Sequence, residues 1–248
     1  MHLNRAEKTE LNLFFMKNAV YLTGDTHGRF ERIALFCRRQ KLAAGDALII
    51  LGDAGLNYFG DWRDEDKKKY LSLLLCTIFC IHGNHEQRPS PEMGYQINTY
   101  HGGKVWIQPQ YPNILFAIDG EVYNFCGRSC LVIGGAYSVD KRYRLARGAK
   151  WWPDEQPSDE IKSKVESVLE QRGWQIDIVL SHTCPLKYEP REVFLAGINQ
   201  STVDKSTEVW LGTIEAKLQY EHWYCGHYHT VKKIDKLQFM FEDFTLLE

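Results

Sequence analysis

What constrains this chain most is a recurring juxtaposition: an apolar, strand-like run followed at once by a short polar cluster. Gly24-Asp25-Thr26-His27-Gly28 follows Ala19 to Thr23, Gly52-Asp53 follows Ala47 to Leu51, and Gly83-Asn84-His85-Glu86 follows Thr77 to Ile81. Ser181-His182 follows Ile176 to Leu180, and Gly226-His227-Tyr228-His229 follows Trp223 to Cys225. In open α/β sheets ligands bind at the carboxyl ends of strands, where loops converge on a rigid frame. The pattern therefore predicts that carboxylates, an amide and imidazoles from distant stretches gather at one edge.

Between these clusters the periodicity alternates. Phe30, Ile33, Ala34 and Cys37 recur at helical spacing, and Lys67 to Leu75 reads as a second helix. The resulting βαβαβ order predicts a mainly parallel sheet covered by helices. From Lys104 to Tyr137 short apolar pieces punctuated by Gly, Asn and Asp read as a second, largely antiparallel set of strands. Asp159 to Gln171 carries Ile161, Val165, Val168 and Leu169 on one stripe, with Ser158 as N-cap and Gly173 past the end, and another helix is expected near Thr207 to Leu218. The expected class is α/β, with two sheets between helical layers. No repeat or linker divides the chain, so residues 16–248 read as one domain and residues 1–15 as a polar, aperiodic N-terminal extension.

Composition narrows the partners. The 248 residues are 44% hydrophobic and carry a net charge of −2, so a substantial core is expected and bulk binding to nucleic acid is not. No apolar run approaches the ~20 residues that cross a bilayer, and nothing near the N-terminus has the basic start and long apolar core of a secretory signal. The seven cysteines fit thiols in a reducing cytoplasm better than a disulfide framework. Cytoplasmic location follows as the expectation.

The clustered residue types suggest metal chemistry. Asp25 and His27 are two apart, as are His227 and His229, and in extended backbone each pair would project to one side. Carboxylate, neutral imidazole and amide oxygen suit divalent Mn, Fe and Zn, and Mg is admissible. Seven potential ligands (Asp25, His27, Asp53, Asn84, His182, His227, His229) exceed one tetrahedral ion and fit two that share a carboxylate. Each cluster alone is weak, since a Gly-Asp pair is a common turn. Their joint order decides.

D-x-H, G-D, G-N-H-[DE], a lone His and G-H-x-H, in that order from about Ala19 to His229, resemble the five blocks of the calcineurin-like metallophosphoesterases, which include the phosphoprotein phosphatases. The resemblance implies a four-layer α/β/β/α sandwich of two mixed sheets flanked by helices. It also implies that Asp25, His27 and His229 bind one ion, that Asn84, His182 and His227 bind the other, and that Asp53 bridges them. By the same resemblance, water activated between the two ions attacks the phosphoryl group, while His85, no ligand, serves the leaving oxygen as general acid.

The chain departs from the phosphoprotein-phosphatase pattern after Gly52-Asp53. Leu56 and Asn57 stand where a His-pairing carboxylate and a phosphate-gripping Arg are expected. Glu86 or Asp140 is then the candidate partner of His85, and Arg88, Arg142 and Arg144 are candidates for the phosphate grip, guanidinium being suited to bidentate phosphate contacts. The stretch from Asn84 to His182, with Trp151 and Trp152, is expected to overhang the metals and select the substrate. The expected activity is phosphomonoester hydrolysis, a phosphoprotein being one conceivable substrate. A phosphodiesterase acting on nucleotides or nucleic acid, or a catalytically silent scaffold, are the alternatives. The oligomeric state is left open.

Overall fold

The computed structural model describes residues 18–247; the expected extension over residues 1–15 lies outside them. Strands β1 (Val20–Thr23), β2 (Ala47–Ile50), β3 (Thr77–Cys80) and β6 (Ile114–Ala117) run parallel side by side. β5 (Gly103–Ile107) and β4 (Gln96–Tyr100) extend that sheet antiparallel beyond β6, and β13 (Thr245–Leu246) closes it beside β1, in the order β13-β1-β2-β3-β6-β5-β4. The second sheet has the order β11-β12-β10-β9-β8-β7. Its members are β7 (Val122–Phe125), β8 (Arg128–Ile133), β9 (Ile178–Ser181), β10 (His222–Cys225), β11 (Lys232–Ile234) and β12 (Leu237–Phe239). β8, β9, β10 and β12 are parallel, with an antiparallel strand at each edge.

Alternation along the strands builds four layers. Leu22, Ile49 and Phe79 of the first sheet meet Val132, Ile178, Leu180 and Tyr224 of the second in one buried cluster between the sheets. Leu48, Ile50 and Ile78 face the other way, onto Ile33 and Cys37 of α1 (Glu31–Gln40) and Leu71 of α2 (Trp62–Ser72). Leu131, Ile133, Val179 and Trp223 pack on Val165 and Leu169 of α4 (Asp159–Gln171) and on Trp210, Leu211 and Ile214 of α5 (Ser206–Glu215). Strands buried on both faces read as unbroken apolar runs, as in the all-buried β2 and β9. The α/β/β/α sandwich is thus present. No helix among the described residues is long and apolar enough to cross a membrane.

One expectation needs correction. The pieces from Lys104 to Tyr137 do not form a sheet of their own: β6 joins β3 and β5 in the first sheet, β5 pairs in turn with β4, and only β7 and β8 enter the second. Local alternation shows where strands lie, whereas partner choice depends on long-range pairing. The basic run after Val139 forms a short helix, α3 (Lys141–Ala146).

Candidate metal centre

All five polar clusters leave strands at the same end of the sandwich, three from the first sheet and two from the second, and the site spans the gap between sheets. Packing there is tight enough to specify glycine. A Cβ on Gly52 would overlap the His182 ring, and one on Gly83 would overlap the Asp53 carboxylate. Each glycine thus clears space for a functional side chain from another block. The backbone is not extended as the i, i+2 argument assumed: His27, Asp53, His227 and His229 all have φ between 48° and 67°. Left-handed backbone at four non-glycine positions in one pocket is held by the surrounding fold, a pattern typical of functional sites. Arg32 braces the first loop by donating to the carbonyls of Gly24, Asp25 and Phe241.

The seven candidate ligands converge. His229 Nε2 lies 3.1 Å from Asp25 Oδ2 and 2.9 Å from His27 Nε2, and ligand atoms of Asp25, His27 and His229 all fall within 4.8 Å of one another. Asn84 Oδ1 is 2.8 Å from His182 Nε2 and 3.0 Å from His227 Nδ1. Asp53 lies between the two sets, with Oδ2 3.9 Å from His27 Nδ1 and Oδ1 3.7 Å from His182 Nε2.

The donor set fits cations. His182 Nδ1 sits 2.8 Å from the Leu51 carbonyl, which requires that nitrogen to carry the proton. In a neutral ring Nε2 then aims a lone pair at Asn84 Oδ1, itself an acceptor whose orientation is fixed by Asn84 Nδ2 donating to Ser138 Oγ at 2.9 Å. Two acceptors that close repel unless positive charge lies between them. Asp25 and Asp53 are both buried. Burial, then the Asp25 charge, raises the Asp53 carboxyl well above its ordinary value, whereas at Asp25 the opposing effect of burial is outweighed by the His229 bond and the neighbouring imidazoles. Burial pushes His27 down to about 4 and His227 to about 3, leaving the neutral rings that metal ligation requires.

His85 sits beside this set. Its backbone N–H donates to Asp53 Oδ1 at 2.8 Å, and its ring Nδ1 is in close contact with the Arg144 guanidinium. Burial, then Arg144, pushes its pKa down to about 2. Neither acid expected to partner it does so. Glu86 is buried and accepts from the backbone N–H groups of Ala54, Gly55 and Gly83, clamping the Asp53 loop, and Asp140 accepts from Arg144 Nε at 2.8 Å.

Of the three candidate arginines only Arg144 reaches the cavity. Arg88 is held away by an ion pair with Asp119 and by the Asp154 carbonyl, and Arg142 is exposed on α3 outside the cavity lining. The tryptophans pack rather than line: Trp151 donates to Glu155 beneath Lys141, and Trp152 is absent from the cavity wall.

The cavity over the site holds about 510 Å³. Tyr137, Val139, Asp140 and Arg144 from the expected overhang line part of it, but most of the apolar wall comes from Val193, Phe194, Leu195, Ile198 and Val203, after His182. Lys205 pairs with both oxygens of Glu189 at 2.9 and 2.8 Å and ties the ends of that segment together. Sequence reading missed it because it lacks periodicity; the only signal was its apolar residues in an otherwise irregular stretch. Glu208, on α5 and part of the cavity lining, was also missed.

The profile of the calcineurin-like phosphoesterase family matches residues 19–231. No curated protein sequence matches the chain. Among solved structures the chain is similar to TT1561 of Thermus thermophilus, with a TM-score of 0.52 and 12% identity over 92% of this chain and 91% of that one. A phosphopantetheinyl hydrolase (PptH) from Mycobacterium tuberculosis aligns with a TM-score of 0.40 and 16% identity over 91% and 89%. At 12% identity the likeness to TT1561 is one of fold.

Proposed function

The chain belongs to the calcineurin-like phosphoesterases, metal-dependent hydrolases of phosphoric esters, and on that premise we propose that it acts on phosphomonoesters. The observation that carries this reading is the Arg144 guanidinium beside His85, in a cavity that a run of apolar side chains also lines. A monoester offers one dianionic phosphoryl group and one alcohol, which suits one cationic end and one apolar wall.

In this reading Asp25, His27 and His229 hold one divalent ion, Asn84, His182 and His227 a second, and Asp53 lies between them. Oxygen and imidazole donors without thiolate favour Mn, Fe or Zn, with Mg admissible. Such ions, when bound, supply Lewis acidity toward phosphoryl oxygens and make water nucleophilic at neutral pH. Arg144, braced by Asp140 and by Tyr58 Oη at 3.2 Å, donates to the phosphoryl oxygens. Because Nδ1 of His85 faces the Arg144 guanidinium, the proton of the neutral ring sits on Nε2, from where it hydrogen-bonds the leaving oxygen and stabilises the charge developing there. A reducing, cytoplasmic setting belongs to the same reading, supported by Cys37 and Cys76, free thiols with sulfurs 3.7 Å apart.

The test compares p-nitrophenyl phosphate with bis-p-nitrophenyl phosphate under Mn, Zn, Fe and Mg, with phosphopeptides in the same screen. The monoester is expected to turn over faster in the preferred metal. Preference for the diester contradicts the reading.

A further inference from the structure

We infer that Glu208 is a specificity-determining residue of this same site, reading a neutral hydrogen-bond donor, an amide N–H or a hydroxyl, on the otherwise apolar alcohol of a small phosphomonoester. The inference rests on the phosphomonoesterase reading above and names the class of alcohol.

The cavity is of a size that takes a small organic ligand. Val193, Phe194, Leu195, Ile198 and Val203 give it an apolar wall, and most charged side chains that line it are already engaged. Glu189 is taken up by Lys205, and Asp204 accepts from Gln156 Nε2 at 3.0 Å and from the Ser206 N–H at 2.9 Å. Glu208 differs. It is 4% exposed and lines the cavity, and its Oε1 accepts from Thr183 Oγ1 at 2.8 Å. Its Oε2 is sealed from solvent and has no hydrogen-bond partner among the described residues.

An unpaired carboxyl oxygen in a dry wall is costly, and native folds rarely keep one without a use. Of the hydroxyls close by, Thr183 Oγ1 is already bonded to Oε1 and lies 3.4 Å from the Tyr228 hydroxyl, and the apolar wall residues Val193, Phe194, Ile198 and Val203 carry no side-chain donor. A donor on the bound alcohol completes the pairing, while the apolar side chains take up the rest of that group. Burial pushes this carboxyl up to about 7, so an uncharged donor matches it better than an ammonium group. An analogue lacking the donor leaves Oε2 unpaired in the complex, which is how a buried polar group discriminates between ligands of equal shape.

The test is calorimetric binding of matched, non-hydrolysable alkyl phosphonates to the manganese-loaded protein. Each pair has equal chain length, one member carrying an amide N–H and the other the isosteric ester, and the wild type is compared with Glu208→Gln and Glu208→Leu. At one chain length the wild type is expected to bind the amide about tenfold or more tightly than the ester. The ratio should approach one in Glu208→Leu and largely persist in Glu208→Gln, which is isosteric and keeps an acceptor oxygen. Equal affinities for both members at every length in the wild type would mean that water satisfies Oε2, and would overturn the assignment. So would a Glu208→Leu variant that weakens both members alike with the ratio unchanged, the mark of a purely structural role. Turnover of p-nitrophenyl phosphate, measured alongside, separates the two readings: its absence in the wild type removes the hydrolase reading and leaves the affinity ratio to judge Glu208.

Discussion

His85 is held at two points, its backbone by Asp53 and its ring by Arg144. Removing the ring leaves the seven candidate ligands in place, so His85→Ala should keep its manganese stoichiometry by calorimetry while kcat falls roughly 10²- to 10⁴-fold. An alanine variant with full turnover on an alkyl phosphate contradicts the leaving-group role. Arg144→Ala removes a charge-assisted bond to phosphate of about 1.5–3 kcal/mol, an expected loss of about 10- to 150-fold in kcat/KM for the monoester. At Glu208 the sign of the pH effect is fixed by burial, which raises the carboxyl from 4.5 to about 7. The native state therefore holds the proton over a range where the unfolded chain has lost it. The penalty is absent below pH 4.5 and grows as pH rises through 7, so stability declines across that window. Denaturant titration of the metal-free protein at about pH 5 and about pH 8 should show the wild type losing up to about 3 kcal/mol relative to Glu208→Gln.

At the scale of elements, the sequence was most legible where local physics decides. The run Ala47–Ile50 is unbroken because both faces of its strand are covered, and α4 begins where Ser158 accepts from the Ile161 N–H. Ser158→Ala should cost about 1 kcal/mol, read from the denaturation midpoint. The five polar clusters were legible as strand ends, and all seven candidate ligands do come together. Less legible was whatever depends on distant partners. β4 is largely exposed and lacks an apolar run, so it announced no strand, and the sheet membership of β5 and β7 is set by pairing rather than by composition. Asp140 and Glu86 were plausible neighbours of His85, but each is claimed by other donors that sequence distance conceals. The cavity wall from Val193 to Val203 is irregular chain pinned by Glu189 and Lys205. Lys205→Met should release it, seen as faster amide exchange between those ends while the sheet strands stay protected.

On the scale of the whole molecule, the two sheets form a frame that drives Asp25 and Asp53 into one dry gap, with imidazoles aimed at the same space. Such a fold gains stability from any cation that relieves the acceptor contacts, because binding to the native state alone shifts unfolding by mass action. The central claim is that this gap binds two divalent ions. Its most direct measurement is anomalous diffraction at the manganese edge from crystals grown with excess manganese. Two peaks are expected, one among Asp25, His27 and His229 and one among Asn84, His182 and His227, with Asp53 adjoining both; no peak in the gap, or a manganese bound only elsewhere, would contradict it.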